Sequence, residues 1–198
     1  MSLAKRTDSF SKLLADVRAC RLCSDLPLGP NPIIQVGTSA KILICGQAPG
    51  RITHQKSVPF DDPSGNRLRD WLGVTRDAFY DSGKFAIIPM GFCFPGTGQG
   101  GDLPPRPLCA ETWHKRLLAA MPQAELSLII GQYAIDWHLG KDRKQTLTAR
   151  VKAWKAYWPD KLVMPHPSPR NNRWLKTNPW FEDEIIPTLQ ERVRALLS

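Results

Sequence analysis

At 198 residues the chain has the length of one domain, and a chain this long buries roughly 70% of its extended surface, so its core needs no disulfide framework. Apolar residues at 42% and charged residues at 23% sit near the globular average and exclude disordered and collagen-like classes. Lysine and arginine outnumber aspartate and glutamate by 27 to 18, giving a net charge of +9 and a pI near 9.6. That excess fits a polyanionic partner, because neutralising phosphates releases counterions. No apolar run approaches the length of a bilayer span, and no charged-then-apolar leader opens the sequence. The expectation is a soluble, cytoplasmic monomer that binds nucleic acid rather than membrane.

In chain order, Phe10, Leu13, Leu14 and Val17 recur at helical spacing and predict a helix over 9–20, with Asp8 or Ser9 as cap. The apolar run 41–45, bounded by Gly46, predicts a buried strand. A helix is expected over 67–72 and a second strand over 84–88. Residues 93–107 form a long loop rich in glycine and proline, and loops of that length are more often functional than merely connecting. A helix over 110–121, a strand over 126–130 and a helix over 132–139 follow. The next helix, 147–157, carries Leu147, Val151 and Trp154 on one face. A short strand over 161–164 ends at Pro165. The last helix, 182–197, has an apolar stripe of Ile185, Leu189, Val193 and Leu196, with Pro187 kinking or restarting it. Apolar strands alternating with helices predict an α/β fold, a three-layer α/β/α sandwich around a short, mainly parallel four-stranded sheet. It forms one domain over 8–198.

Folds of this class place their sites at the carboxyl ends of strands, which singles out 46–51 and 166–171. The first segment, Gly46-Gln47-Ala48-Pro49-Gly50, lacks dinucleotide-binding glycine spacing. Its glycines and proline make a tight loop that a flat ligand can approach closely. In the second, His166-Pro167-Ser168-Pro169-Arg170-Asn171, two prolines clamp one histidine directly after a strand and present Ser168, Arg170 and Asn171 outward. A lone histidine is more often structural; the prolines and the strand end move this one toward function.

Five cysteines in a cytosolic-looking chain argue against disulfides. Cys20 and Cys23 form a C-x-x-C pair, Cys93 and Cys109 bracket the long loop, and Cys45 lies inside a strand as a core residue. Four thiolates suit tetrahedral zinc or a [4Fe–4S] cluster, and the spacing does not separate the two. Arg18, Arg21 and Arg106 flank them.

Taken together and in order, these features resemble the uracil-DNA glycosylase superfamily. The likeness is nearest its iron–sulfur bacterial and archaeal branch: the C-x-x-C pair, the 46–50 loop, Pro59-Phe60 with Gly65, then Cys93 and Cys109. The reading H-P-S-P-R-N of the second loop is most similar to the single-strand-selective uracil glycosylases. The resemblance implies a base-excision glycosylase acting on single- or double-stranded DNA, which flips out uracil or a related lesion because the bond to be cut is unreachable in the stack. It implies Phe60 as stacking platform, with Gly46, Ala48, Pro49 and Gly50 around the base. His166 and the first-loop amides would stabilise the departing base anion, and Ser168, Arg170 and Asn171 would contact DNA. It favours a structural [4Fe–4S] cluster on Cys20, Cys23, Cys93 and Cys109, with zinc as the alternative.

Two positions depart from that pattern. Gln47 stands where the iron–sulfur branch has a glutamate, and an amide cannot act as a general base. Pro89 stands where that branch has an asparagine. Asp61 and Asp62 are the nearest carboxylates in sequence and candidates for the missing base, while Thr97, Gln99 and Asp102 are candidates for reading a base edge. A catalytically silent member that binds DNA or a flipped base is the alternative. Both readings require Gln47 and His166 to meet at one rim of the sheet.

Overall fold

The computed structural model describes residues 3–142 and 145–198. Its centre is a four-stranded sheet of β1 (Ile42–Cys45), β2 (Phe85–Ile87), β5 (Leu126–Ile130) and β6 (Lys161–Met164), in the order β2-β1-β5-β6. Every pairing in it is parallel. Parallel strands need crossovers, and the helices supplying them cover both faces. Residues of β1 and β2 are accordingly buried without alternation. The predicted α/β architecture is therefore found, and the strands 41–45 and 84–88 are each trimmed at their ends.

The helices are α1 (Leu3–Arg18), α2 (Arg51–Lys56), α3 (Pro63–Leu72), α4 (Arg76–Tyr80), α5 (Lys115–Ala119), α6 (Gln132–Leu139), α7 (Leu147–Lys152), α8 (Asn172–Thr177) and α9 (Ile186–Leu197). Sequence periodicity misses α2, α4 and α8, which are too short to show a repeat. It also begins α3 four residues late. Asp62 is its N-cap, accepting from the Gly65 amide at 2.8 Å, and Pro63 fills the first helical position. That Asp-Pro signature is readable without tertiary information. The predicted 110–121 helix opens with a wide π turn, Ala110–His114, before α5. Pro187 restarts rather than kinks the last helix: a π turn over Phe181–Ile185 ends where α9 begins, and the missing Pro187 N–H falls among first-turn donors that have no intrahelical partner. The predicted helix 147–157 is α7 followed by a tight turn at Trp154–Ala156, with Trp154 and Trp158 edge to face at 5.4 Å.

The 93–107 loop carries a small antiparallel hairpin, β3 (Thr97–Gly98) and β4 (Gly101–Asp102), folded toward the carboxyl ends of β1 and β6. Among the described residues no helix is long and apolar enough to cross a membrane.

Candidate active site

The loops after β1 and β6 meet. Together with residues of the 59–64 turn, Pro89 and the hairpin, they line one cavity of about 540 Å³, a volume within the range of small-molecule sites. Gly46, Gln47, Ala48, Pro49, Gly50, Phe60, Asp62, Asp102, His166, Ser168, Arg170 and Asn171 all reach its wall, so twelve of the fifteen candidate residues outside the cysteines are brought together.

Thr97 and Gln99 are not lining residues, and neither is Asp61. Its carboxylate pairs with Arg76 at 2.6 Å and Lys56 at 3.2 Å, and the hydrogen bond from Arg76 holds its pKa below the ordinary carboxylate value. Tied to both, its carboxylate is engaged away from the cavity wall. Asp62 does line the cavity, but its Oδ1 is the cap of α3.

Phe60 is held in an unusual posture. Its φ is +55°, a left-handed conformation that costs a bulky residue energy and needs surrounding support. Its carbonyl accepts from the buried Arg69 at 3.3 Å. A Cβ on Gly65 would overlap that same carbonyl, which explains why Pro59-Phe60 is followed by glycine at that spacing. The ring lies over Gly46, whose own Cβ would stand 3.5 Å from it. It faces the His166 ring with centroids 6.5 Å apart and planes 28° from parallel.

His166 has a defined protonation pattern. The Ser168 backbone N–H donates to its Nδ1 at 3.2 Å, so in the neutral ring the proton sits on Nε2. Burial lowers its pKa; Asp62 and Asp102 pull the other way, and Arg170 acts with burial. The ring is therefore a neutral donor at physiological pH. The loop behind it is strapped down. Asn171 donates its amide to the His166 carbonyl at 2.7 Å, Ser168 Oγ caps Arg170 N at 3.2 Å, and Arg67 donates to the Ser168 carbonyl and to Asn172 Oδ1. Asn171 and Ser168 thus spend part of their polar capacity on shaping the loop. Arg170 lies instead across the cavity mouth, its guanidinium against Gly101.

Sequence reasoning misses three groups. Arg67 has no motif to mark it. Thr53 and Ser64 are 3% and 8% exposed, line the cavity, and make no side-chain hydrogen bond among the described residues. Neither hydroxyl is among the buried side-chain atoms left without a partner, so both keep access to the space their residues line. At Pro89 the cavity presents a ring rather than an amide, and the Pro89 carbonyl is occupied by His114 Nε2 at 2.9 Å.

Cys20, Cys23, Cys93 and Cys109 line a second, apolar pocket together with Phe92 and Trp113. Burial raises the thiol pKa of Cys23 and Cys109 and pushes Cys93 up to about 11. The Phe92 N–H points at Cys109 Sγ at 3.5 Å, and Arg106 pairs with Asp25 close by. Among the described residues, however, no group of three His, Cys, Asp or Glu side chains is gathered so as to hold a metal ion. Cys45 is fully buried in β1, its pKa raised to about 12.

A parallel α/β sheet with a rigid Gly/Pro loop after one strand and a clamped, neutral histidine after the last frames a cavity of small-molecule size at the strand ends. A family model of the uracil DNA glycosylase superfamily matches residues 34–190, and the chain belongs to that superfamily. Among solved structures, the chain is similar to one determined by solution NMR for a Methanosarcina acetivorans protein provisionally named a uracil DNA glycosylase. The two are 15% identical, the match covers 80% of this chain and 94% of that one, and the TM-score is 0.47.

Proposed function

We propose that the chain is a DNA base-excision glycosylase whose cavity receives one extruded base, uracil or another damaged or deaminated base, and hydrolyses its N-glycosidic bond. The observation that carries this reading is the meeting of two distant loops in a single cavity, with a neutral His166 donor facing the Phe60 ring. Extrusion costs a few kcal/mol, offset by stacking on Phe60 and by phosphate contacts from the basic surface. As the C1′–N bond breaks, its electron pair passes to the base and the sugar becomes oxocarbenium-like. The His166 Nε2–H donates to the base oxygen where negative charge gathers. The Gln47 and Ala48 amides, which have no backbone acceptor among the described residues, are placed to assist. Arg170 and the outward edge of the 166–171 loop border the gap that the base leaves. The test is single-turnover base release from single- and double-stranded oligonucleotides carrying uracil, hypoxanthine or xanthine. Release by the wild type that falls about 10²–10³-fold in His166→Ala, with folding intact, is the expected result.

Gln47, which has no carboxylate, and Pro89, which has no side-chain amide, stand on the cavity wall and favour a second reading, a silent member that binds DNA or a flipped base. Lesion-specific binding with every substrate left intact would establish it.

For the cysteine pocket we propose a structural [4Fe–4S] cluster on Cys20, Cys23, Cys93 and Cys109, with zinc as the alternative. Four thiols on one apolar pocket, with a backbone N–H aimed at Cys109, are the donor set such a cluster takes. Loading would have to gather thiols that the structure leaves apart. Its contribution there would be to tie the end of α1 to the long loop.

A further inference from the structure

We propose that Asp102, on the hairpin of the long loop, is the carboxylate that activates the attacking water, taking the place of the acid that position 47 lacks. This rests on the glycosylase reading above. Three contacts bring the hairpin tip to the cavity. Gln47 Nε2 donates to the carbonyl of Leu103, the residue next to Asp102, at 3.4 Å. Asp102 Oδ2 lies 3.4 Å from where a Gly50 Cβ would stand, so the carboxylate rests against the first loop. Arg170 packs on Gly101 from the opposite side, tying the hairpin to the histidine loop. Asp102 lines the cavity and is close enough to His166 to act on its charge.

The other two carboxylates near the site are committed elsewhere. Asp61 is paired with Arg76 and Lys56, and Asp62 Oδ1 caps α3. Among the described residues Asp102 makes no ion pair within 4.0 Å and no side-chain hydrogen bond; it is exposed where it lines the cavity, so its carboxylate is open to water there. The side chain at position 47 thereby serves a different end, since its amide holds the strand that delivers the acid instead of supplying the acid itself. In the step, the C1′–N bond breaks with its electrons leaving on the base, and water oxygen bonds to C1′. A water proton passes to the Asp102 carboxylate and from there to solvent or the departing base. The products are a free base and an abasic sugar hydroxyl. The negative charge of Asp102 also opposes the positive charge that develops on the sugar.

The experiment is single-turnover release and DNA affinity, measured on the full chain for wild type, Asp102→Asn, His166→Ala and the double variant Gln47→Glu with Asp102→Asn. The expected result is a roughly 10²-fold or greater fall in release for Asp102→Asn with DNA affinity retained, and recovery of at least tenfold when Gln47→Glu is added. A hairpin that only shapes the cavity would not be rescued by a carboxylate at position 47. Release unchanged in Asp102→Asn while His166→Ala is inactive overturns this assignment and leaves the glycosylase reading standing. A wild type that releases no base overturns both.

Discussion

The cavity at the strand ends and the cysteine pocket differ sharply in polarity within one small fold. The cavity is roomy and lined by groups with unspent polar capacity: the His166 Nε2, the Thr53 and Ser64 hydroxyls, and the Asp102 carboxylate. The cysteine pocket has apolar walls, and burial raises the thiol pKa of Cys23, Cys93 and Cys109. Unpartnered polar groups are costly unless something binds them, so the first region is built for a ligand that comes and goes. The second offers a passing substrate little beyond the weak hydrogen-bonding capacity of thiols. His114 stands in the wall between them. It donates from Nε2 to the Pro89 carbonyl on the cavity side and stacks on Phe92, a wall of the cysteine pocket, at 5.6 Å.

The strongest way to break this comparison is to remove a thiol. On the proposed cluster reading, Cys93→Ser is expected to abolish the cluster's visible absorbance and lower stability by about 2 kcal/mol or more, while residual release keeps its lesion preference. Absorbance spectra, thermal melts and release assays on the same preparation check it. If preference changes as much as stability does, the pocket is part of the active site and the division fails.

A smaller effect comes from the wall. Burial lowers the His138 pKa to about 4, with His114 and Lys161 adding to the shift, against an ordinary value of 6.5. Between those values the unfolded chain binds a proton that the folded one refuses, so stability falls as pH drops through the window and levels off below it. Denaturant melts should show a loss on the order of 1–2 kcal/mol from this group between neutral pH and pH near 4. His138→Gln should flatten that slope. An unchanged slope would place the acid sensitivity elsewhere.

The smallest expected effect sharpens the description of the cavity. Ser64→Ala and Thr53→Val remove hydroxyls that face the ligand space, and each should alter relative release among uracil, hypoxanthine and xanthine about three- to tenfold with little change in stability. A hydroxyl both donates and accepts, so losing one should affect bases with different edge patterns unequally. A uniform change across the three bases would mean these groups shape the pocket without reading it.

Much of the site is legible from local chemistry. Strand-end glycines, prolines and a clamped histidine are visible because backbone geometry demands particular residues at particular offsets. The Asp62-Pro63 start of α3 is equally local, although hydrophobic periodicity passes over it. Asp61 misleads because adjacency in sequence says nothing about side-chain direction; Arg76, fifteen residues on, draws its carboxylate away from the cavity. The roles of Arg67 and Arg69 are not legible, since each latches a loop or turn that its own helix does not contain.

By itself, then, the sequence determined the sheet, its parallel sense, the two strand-end loops and the family, because hydrophobic periodicity and turn chemistry are local. Tertiary structure alone decided that Asp62 and Asp102 line the cavity while Asp61 does not, which histidine nitrogen carries the proton, and how far apart the four thiols stand. Those depend on long-range contacts between Asp102 and Gly50, between Arg170 and Gly101, and across the pocket beneath the long loop, and no local pattern encodes a distance between segments that meet only when the chain has folded.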